Sequence, residues 1–270
     1  MNALWGAGQM MFNKILVLAS PNPSEGGASE ESLQITDYLK LAQTVFKNLN
    51  PATDIYFSQG PMDVLDHSCS KLGFGGKMCI DGTHKFEEET DEDYELIINN
   101  EQLKIDLLLK EKFTEIEGVN SSLLAKQIPC LIVSVKKNRK GHIKELHEQI
   151  CSLKEIAGVK MILYVEHTVD ANDLPTALWR FCNNLDPKRD SHICKRSSHN
   201  SYTACIGFDG TRKTKELDDF NRDWPNIIVA DNATIAAIDA KWSELNIGEF
   251  IPSPSLKFKD QMYGEEAVVN

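Results

Sequence analysis

Ile80-Asp81-Gly82-Thr83-His84-Lys85 returns later in the chain as Phe208-Asp209-Gly210-Thr211-Arg212-Lys213. Two further pairs stand ahead of these segments, in the same order. Asn13-Lys14-Ile15-Leu16-Val17-Leu18 matches Val159-Lys160-Met161-Ile162-Leu163-Tyr164, and Asn48-Leu49-Asn50-Pro51-Ala52-Thr53-Asp54 matches Asn184-Leu185-Asp186-Pro187-Lys188-Arg189-Asp190. The offsets are 146 from Lys14 to Lys160, 136 from Pro51 to Pro187 and 128 from Asp81 to Asp209. The earlier copy is therefore longer between its anchors, and extra residues of this kind belong in surface loops. Ser20 to Ser29, rich in Pro, Gly and Ser, has that composition. The repeat predicts two diverged copies of one module, residues 1–118 and 119–270, with an acidic linker over about 87–101.

The second copy sets the pattern. Pro129 to Val135 is a short apolar run, as a buried strand requires. Ile143, Leu146, Ile150, Leu153 and Ile156 recur at three and four residues, which puts one apolar stripe on a helix ending at Gly158. Met161 to Val165 is the next strand. Asp170 or Asn172 caps a helix sharing Leu174, Leu178, Phe181, Cys182 and Leu185 on one face, with Pro175 in its first turn. Tyr202 to Phe208 is a further strand, and a last helix runs through Ile235, Ile238, Trp242 and Leu245 after Asp231 or Asn232. A tail follows, with prolines at 252 and 254, expected to be partly extended.

The first copy repeats this order with strand Lys14 to Leu18, helix Ile35 to Leu49 and strands Ile55 to Ser58 and Lys77 to Ile80. Leu96-Ile97-Ile98 and a helix from Gln102 to Ile116 echo the end of the second copy. Alternating strands and helices predict an α/β fold of two related modules, each a mostly parallel sheet flanked by helices and each with its own core. The strand-and-helix run from Ile128 to Ala157 has no counterpart ahead of Lys14. The first sheet is thus expected to be one strand short, and the chain to begin inside a module as the C-terminal piece of a longer protein.

Charge narrows the partners. With 29 basic against 40 acidic residues the net charge is −11, and Glu87 to Asp93 concentrates it. Nucleic acids and anionic membranes are poor partners for such a surface. Seven cysteines without a Cys-x-x-Cys pair suit a reducing compartment, so a cytoplasmic setting is expected. Gln9, Asn13 and Lys14 interrupt the apolar start, so no integral membrane segment is expected there.

Few segments offer chemistry. Gly73-Phe74-Gly75-Gly76-Lys77 has the density of an anion nest, but position 71 lacks the P-loop glycine and Met78 stands where a hydroxyl would reach magnesium. It reads better as a turn into a strand. Asp81-Gly82-Thr83 and Asp209-Gly210-Thr211 read best as polar turns at strand ends. His192, Cys194, His199 and Cys205, or His67 with Cys69, fit no zinc spacing, so no metal ligand is assigned. No nucleophile elbow is present and no catalytic residue is assigned. Lys136-Lys137-Asn138-Arg139-Lys140-Gly141-His142 links a strand to a helix start, where an anion site and a solvated basic turn are both open readings.

These segments together resemble the C-terminal domain of the UbiD family of decarboxylases. The resemblance runs through Ala3 to Gln9, Lys14 to Leu18, Asn50-Pro51 with Asp54 and Gly75 to Lys85 in the first copy. In the second it runs through Val133 to Lys137 with Gly141-His142, Val169 to Leu174, Leu178-Trp179, Leu185 to Asp190 and Gly207 to Lys213. The family usually has Ser at the position of Gly76, Gly at that of Cys79 and Ala at those of Gly82 and Gly210, and generally one such domain.

The resemblance implies a parent enzyme that decarboxylates an aromatic or unsaturated acid in quinone biosynthesis, using prenylated FMN with a divalent metal. It implies that the Glu-Arg-Glu acid–base set lies in an upstream catalytic domain of the same polypeptide. This chain alone is then expected to bind no cofactor and to be inactive. Lys136 and Lys137 correspond to the basic segment that helps hold the cofactor, and Met62 and Leu65 to a loop near the substrate pocket. A homo-oligomer is expected. The competing reading is a non-catalytic oligomerisation or scaffold module.

Overall fold

The computed structural model describes residues 1–20, 33–86, 104–197, 202–263 and 268–269. The Ser20 to Ser29 loop beyond Ser20, the acidic linker, Leu96 to Ile98 and His199 lie outside them. Helices α1 to α8 are Asn2–Trp5, Tyr38–Asn48, Ile105–Lys112, His142–Cys151, Leu174–Asn184, Lys215–Asp218, Asn232–Leu245 and Ser255–Phe258. Strands β1 to β10 are Ile15–Ala19, Ile55–Pro61, Phe74–Gly82, Ile116–Asn120, Cys130–Val135, Met161–Glu166, Ser191–Ser197, Tyr202–Gly210, Val229–Ala230 and Val268–Val269.

The fold is mixed α/β, with a three-stranded sheet ordered β1-β3-β2 and a five-stranded sheet ordered β4-β5-β6-β8-β7, both flanked by helices. Parallel pairing holds the interior, where β5, β6 and β8 adjoin and where β1 meets β3. The strands β2, β4 and β7 pair antiparallel at the sheet edges. The first sheet ends at β1, whose counterpart β6 continues to β5, so the expected missing strand leaves β1 as an edge.

The repeat persists in the register. Leu18 faces Asp81 across β1 and β3, and Tyr164 faces Asp209 across β6 and β8, the same anchor positions in both copies. Ile55 faces Ile80 as Ser191 faces Phe208. Helix caps repeat as well: Asp37 accepts the Lys40 backbone N–H, and Asp173 accepts that of Thr176. Asp173, not Asp170 or Asn172, is therefore the cap, and Pro175 sits in the first turn where its missing N–H costs nothing.

The expectation of two separate cores is corrected. One apolar cluster joins Val45, Leu49, Met78 and Ile80 of the first copy to Ile132, Leu163, Phe181 and Phe208 of the second. A second cluster packs α3 and α4 onto the other face of the larger sheet through Ile105, Leu109, Ile143, Leu146 and Ile150. A division at 118/119 would cut β4, whereas the chain separates into compact units at 1–222 and 223–270. The physical reason is that α2 and α5, through Val45, Leu49, Ala177 and Phe181, enter the same cluster as strands of both copies, so the apolar faces of the copies cover one another.

Two helices also differ from the periodicity. The stripe from Ile143 to Ile156 is split, with α4 ending at Cys151 and a 3-10 turn over Lys154–Ile156. The Gln102 to Ile116 stretch gives α3 and then enters β4. In the 223–270 unit, Asp231 caps α7 through the Thr234 N–H at 2.6 Å, and Trp242 donates to the carbonyls of Gly248 and Glu249. The proline-bearing tail forms α8 and a 3-10 turn, and is extended at Val268–Val269, which pairs parallel with Val229–Ala230. No described helix is long and apolar enough to cross a membrane.

Candidate functional site

Strand β5 delivers the basic turn 136–141, and Gly141 opens α4 in the left-handed region at φ +69, a conformation that suits glycine. Beside it lies a cavity of about 280 Å³, with Lys137, Lys140, Lys144, Arg189 and Lys213 among its lining side chains. Asp190, Asp209, Asp218 and Asp219 line it too. Five cations thus face four carboxylates.

The four carboxylates are already engaged. The Lys137 ammonium donates to Asp218 at 2.7 and 3.0 Å and to the Arg212 carbonyl at 2.9 Å. Lys140 pairs with Asp219, and Arg189 donates to Asp190 from Nε at 2.6 Å and from Nη2 at 2.7 Å. Lys213 lies 3.2 Å from Asp209 and donates to the carbonyls of Asp209 and Thr211. Burial opposes the charge on Asp209, yet Lys213, Lys137 and Thr211 hold its carboxyl well below the usual range. Burial raises Asp190 despite Lys213 and Arg189. His192 is lowered mainly by burial, which keeps it neutral.

Perturbed carboxylates mark either catalysis or structural ion pairing. Here the network has a twin: in the first copy Lys85 lies 3.4 Å from Asp54 and 3.5 Å from Asp81, and Thr83 bonds Asp81 as Thr211 bonds Asp209. Recurrence in both copies favours a fold-building role. The arrangement holds strand ends and turns together and presents no free acid–base pair among its members.

The sequence-predicted residues fall in different surroundings. Lys136 is exposed, while the Lys137 side chain is 6% exposed and ion-paired. Met62 is 3% exposed, its sulfur 3.2 Å from the buried Lys77 ammonium, whereas Leu65 is 86% exposed. The Gly73 to Lys77 stretch is no nest: from Phe74 it is strand β3. His67 contacts Asn184 at 3.2 Å, and burial pushes the neighbouring Cys69 thiol up to about 11, away from reactivity. Spacing did not single out His142 with Glu115, which meet at 3.0 Å, nor the Asp218 partner of Lys137. Both pairs join elements remote in sequence and leave no local signature.

Prenylated FMN and a divalent metal would need free phosphate donors and uncommitted carboxylates. The cavity's carboxylates are all engaged with cations, and its volume lies at the lower bound of the roughly 300–1,000 Å³ typical of small-molecule pockets. The residues present do not fit the whole cofactor.

Residues 1–82 and 97–210 match the model of the 3-octaprenyl-4-hydroxybenzoate carboxy-lyase C-terminal domain, UbiD_C. The matched stretches end at Gly82 and Gly210, equivalent positions of the repeat. Uncharacterized proteins of Helicobacter pylori strains J99 and 26695 are 29% and 28% identical over 226 residues, 83% of this chain. The chain spans about a third, 32%, of the length of those relatives. Among solved structures, the open form of Sedimentibacter hydroxybenzoicus vanillic acid decarboxylase is similar at 17% identity and a TM-score of 0.40, covering 65% of this chain and 39% of that one. The UbiD-class enzyme HmfF of Pelotomaculum thermopropionicum with FMN is similar at 17% identity and a TM-score of 0.34, covering 46% and 29%. By the extent of the family match, this chain belongs to the UbiD carboxy-lyase C-terminal domain family.

Proposed function

We propose that this chain is the C-terminal, two-module part of a UbiD-like decarboxylase acting on an aromatic or unsaturated carboxylic acid in quinone biosynthesis. The observation that carries this reading is the ion-paired site: Asp190, Asp209 and Asp218 are committed to Arg189, Lys213 and Lys137, which leaves acid–base work to another domain. The curated relatives, of which the chain spans 32%, have room for such a domain. Prenylated FMN with its divalent metal would be held by that upstream domain of the same polypeptide, in a cytoplasmic homo-oligomer. Lys136, exposed at the end of β5, would reach toward the cofactor, and Lys137 would do so only on giving up Asp218. Leu65 would meet the substrate side from the surface, with Met62 packed behind it against Lys77.

The test is direct. The purified chain, incubated with prenylated FMN, manganese and a panel of aromatic acids, is expected to release no carbon dioxide, while a version joined to the upstream domain turns over. Release by the chain alone above the buffer rate would defeat the reading.

A second reading, a non-catalytic assembly module, is favoured by the shared core of the two copies, which spends their apolar faces on cohesion. Under it, the version joined to an upstream domain would gain an association state in light scattering and no turnover.

A further inference from the structure

On the face of the larger sheet that α4 covers, three residues with metal-binding side chains converge in the apolar layer beneath that helix, with a fourth nearby. His147 and Cys151 stand one turn apart on that helix, so their side chains share its buried face. Cys205 comes up from β8. The ligand atoms of these three residues lie within 4.8 Å of one another, and all three residues are buried. The Cys151 Sγ to His147 Nε2 distance is 3.5 Å, close to the edge of a tetrahedron built from Zn–S and Zn–N bonds of about 2.3 and 2.0 Å.

The surroundings are shaped for the imidazole. Gly207, two residues after Cys205 on the same face of β8, leaves the space that His147 fills: a Cβ there would stand 2.5 Å from Nδ1. The Tyr164 hydroxyl lies 3.0 Å from Nδ1. Nε2 lies 3.2 Å from the Cys205 carbonyl, an acceptor, so ligation moves the ring proton to Nδ1, where Tyr164 accepts it, and turns the Nε2 lone pair from that carbonyl to the metal. A fourth donor is adjacent, outside the 4.8 Å group, and reaches it by turning its side chain. Cys194 on β7 pairs directly with Cys205, so the two thiols project from the same face, and Cys194 packs against the same apolar cluster.

We propose that His147, Cys151, Cys205 and Cys194 form a structural site for a soft divalent cation, zinc above all. Ligation releases the thiol protons to solvent, and the thiolates balance the metal's charge, which lets it sit in an apolar layer. The site ties the α4 helix to the β7–β8 hairpin. A closed set of four protein donors suits a structural and not a catalytic metal.

The full chain, stripped with chelator, reloaded with zinc and dialysed, is expected to retain one equivalent by elemental analysis. Cobalt(II) loading of the unaltered chain should give thiolate-to-cobalt charge transfer in the near ultraviolet and the intense visible bands of a tetrahedral ion. Cys151→Ser and Cys205→Ser should lose the retained equivalent, and Tyr164→Phe should weaken zinc binding by roughly 10–100-fold. Cys194→Ser should replace one thiolate and reduce the charge-transfer intensity. A cobalt spectrum of the hexa-aqua ion, or zinc retention unchanged in Cys151→Ser and Cys205→Ser, would overturn the proposal. The cobalt spectrum needs no substitution, so an unfolded variant cannot mask the answer.

Discussion

Lys14 and Lys160, the equivalent lysines that open β1 and β6, each reach across to the other copy's helix. The Lys14 ammonium donates to the carbonyls of Cys182 and Leu185 at the end of α5, at 3.1 and 3.0 Å. The Lys160 ammonium donates to those of Phe46 and Leu49 at the end of α2, both at 2.7 Å. Phe46 and Cys182, like Leu49 and Leu185, are partners in the repeat, so the exchange is reciprocal, as in an isologous dimer interface. Each ammonium satisfies carbonyls that a helix terminus leaves without partners and sits at the negative end of the helix dipole. The copies therefore dock with the internal symmetry of a dimer, inside one chain.

That placement gives Lys160 a pH signature. Burial, only partly opposed by Asp54, lowers its ammonium to about 8, against roughly 10.4 for an unfolded lysine. Between those values the unfolded chain binds the proton that the folded site has shed, so stability from this group rises with pH across that window. Below about 8 both states are charged and the burial cost is fully present. Urea midpoints for the wild type and Lys160→Met, measured from pH 7 to pH 10, should diverge above pH 8 in favour of the wild type. A constant difference over that range would contradict the assignment.

Equivalent aspartates should respond unequally. The Asp209 side chain is 10% exposed and meets Lys213 and Lys137, whereas that of Asp81 is 25% exposed beside Lys85. Asp209→Asn leaves buried cations without their partner and should cost about 3–5 kcal/mol, while Asp81→Asn should stay within about 1 kcal/mol. Because the Asp209 carboxyl is held below its unfolded value, its contribution is present above the unfolded pKa and lost as pH falls toward the folded one. Chemical denaturation at pH 7 and pH 3 checks both: the gap between wild type and Asp209→Asn should narrow in acid.

At Gly76 the first copy packs against the second with no room for a side chain. A Cβ there would stand 2.0 Å from Asp186 Oδ1 and 2.7 Å from the Lys188 backbone nitrogen, and the Gly76 N–H donates to Asp186 Oδ2 at 3.1 Å. A serine side chain here would run into the Asp186 carboxylate. Gly76→Ser should cost about 1–3 kcal/mol by overpacking. Combined with Asp186→Ala, the two losses should fall short of additivity by at least about 0.5 kcal/mol in a thermal double-mutant cycle. Strict additivity would mean the residues do not share this contact.

The sequence made some of this legible and hid the rest for identifiable reasons. Met161 to Val165 and Leu174 to Leu185 carry strong local patterns, and both elements form there. Ser191-His192-Ile193-Cys194-Lys195-Arg196-Ser197 pairs only at a sheet edge, and its mixed composition carries little strand signal. Lys14 and Lys160 mark the repeat in sequence, but nothing local says that each leaves its own copy. His147 and Cys205 are separated by 58 residues, so a search for tight ligand spacing misses them. Local periodicity finds elements; it does not say which apolar faces meet.

The shared core makes a prediction about where the chain tolerates a cut. Removing residues 1–118 uncovers Ile132, Leu163, Val165 and Phe208 on one face, where Val45, Leu49, Met78 and Ile80 had packed. It also strips Ile105, Leu109, Phe113 and Ile116 from the other. Each large apolar side chain lost is worth roughly 1.5–3 kcal/mol, which over both faces matches or exceeds the ~5–15 kcal/mol that stabilises a typical domain. Neither core cluster contains a residue beyond 222, so ending the chain at Arg222 removes none of this packing. Residues 1–222 should therefore unfold cooperatively in urea with a near-ultraviolet circular dichroism signal. Residues 119–270 alone should bind a hydrophobic dye and lack that signal, the behaviour of a collapsed chain without fixed packing. A cooperative transition for 119–270 at the midpoint of the full chain would show that the second copy stands on its own core after all.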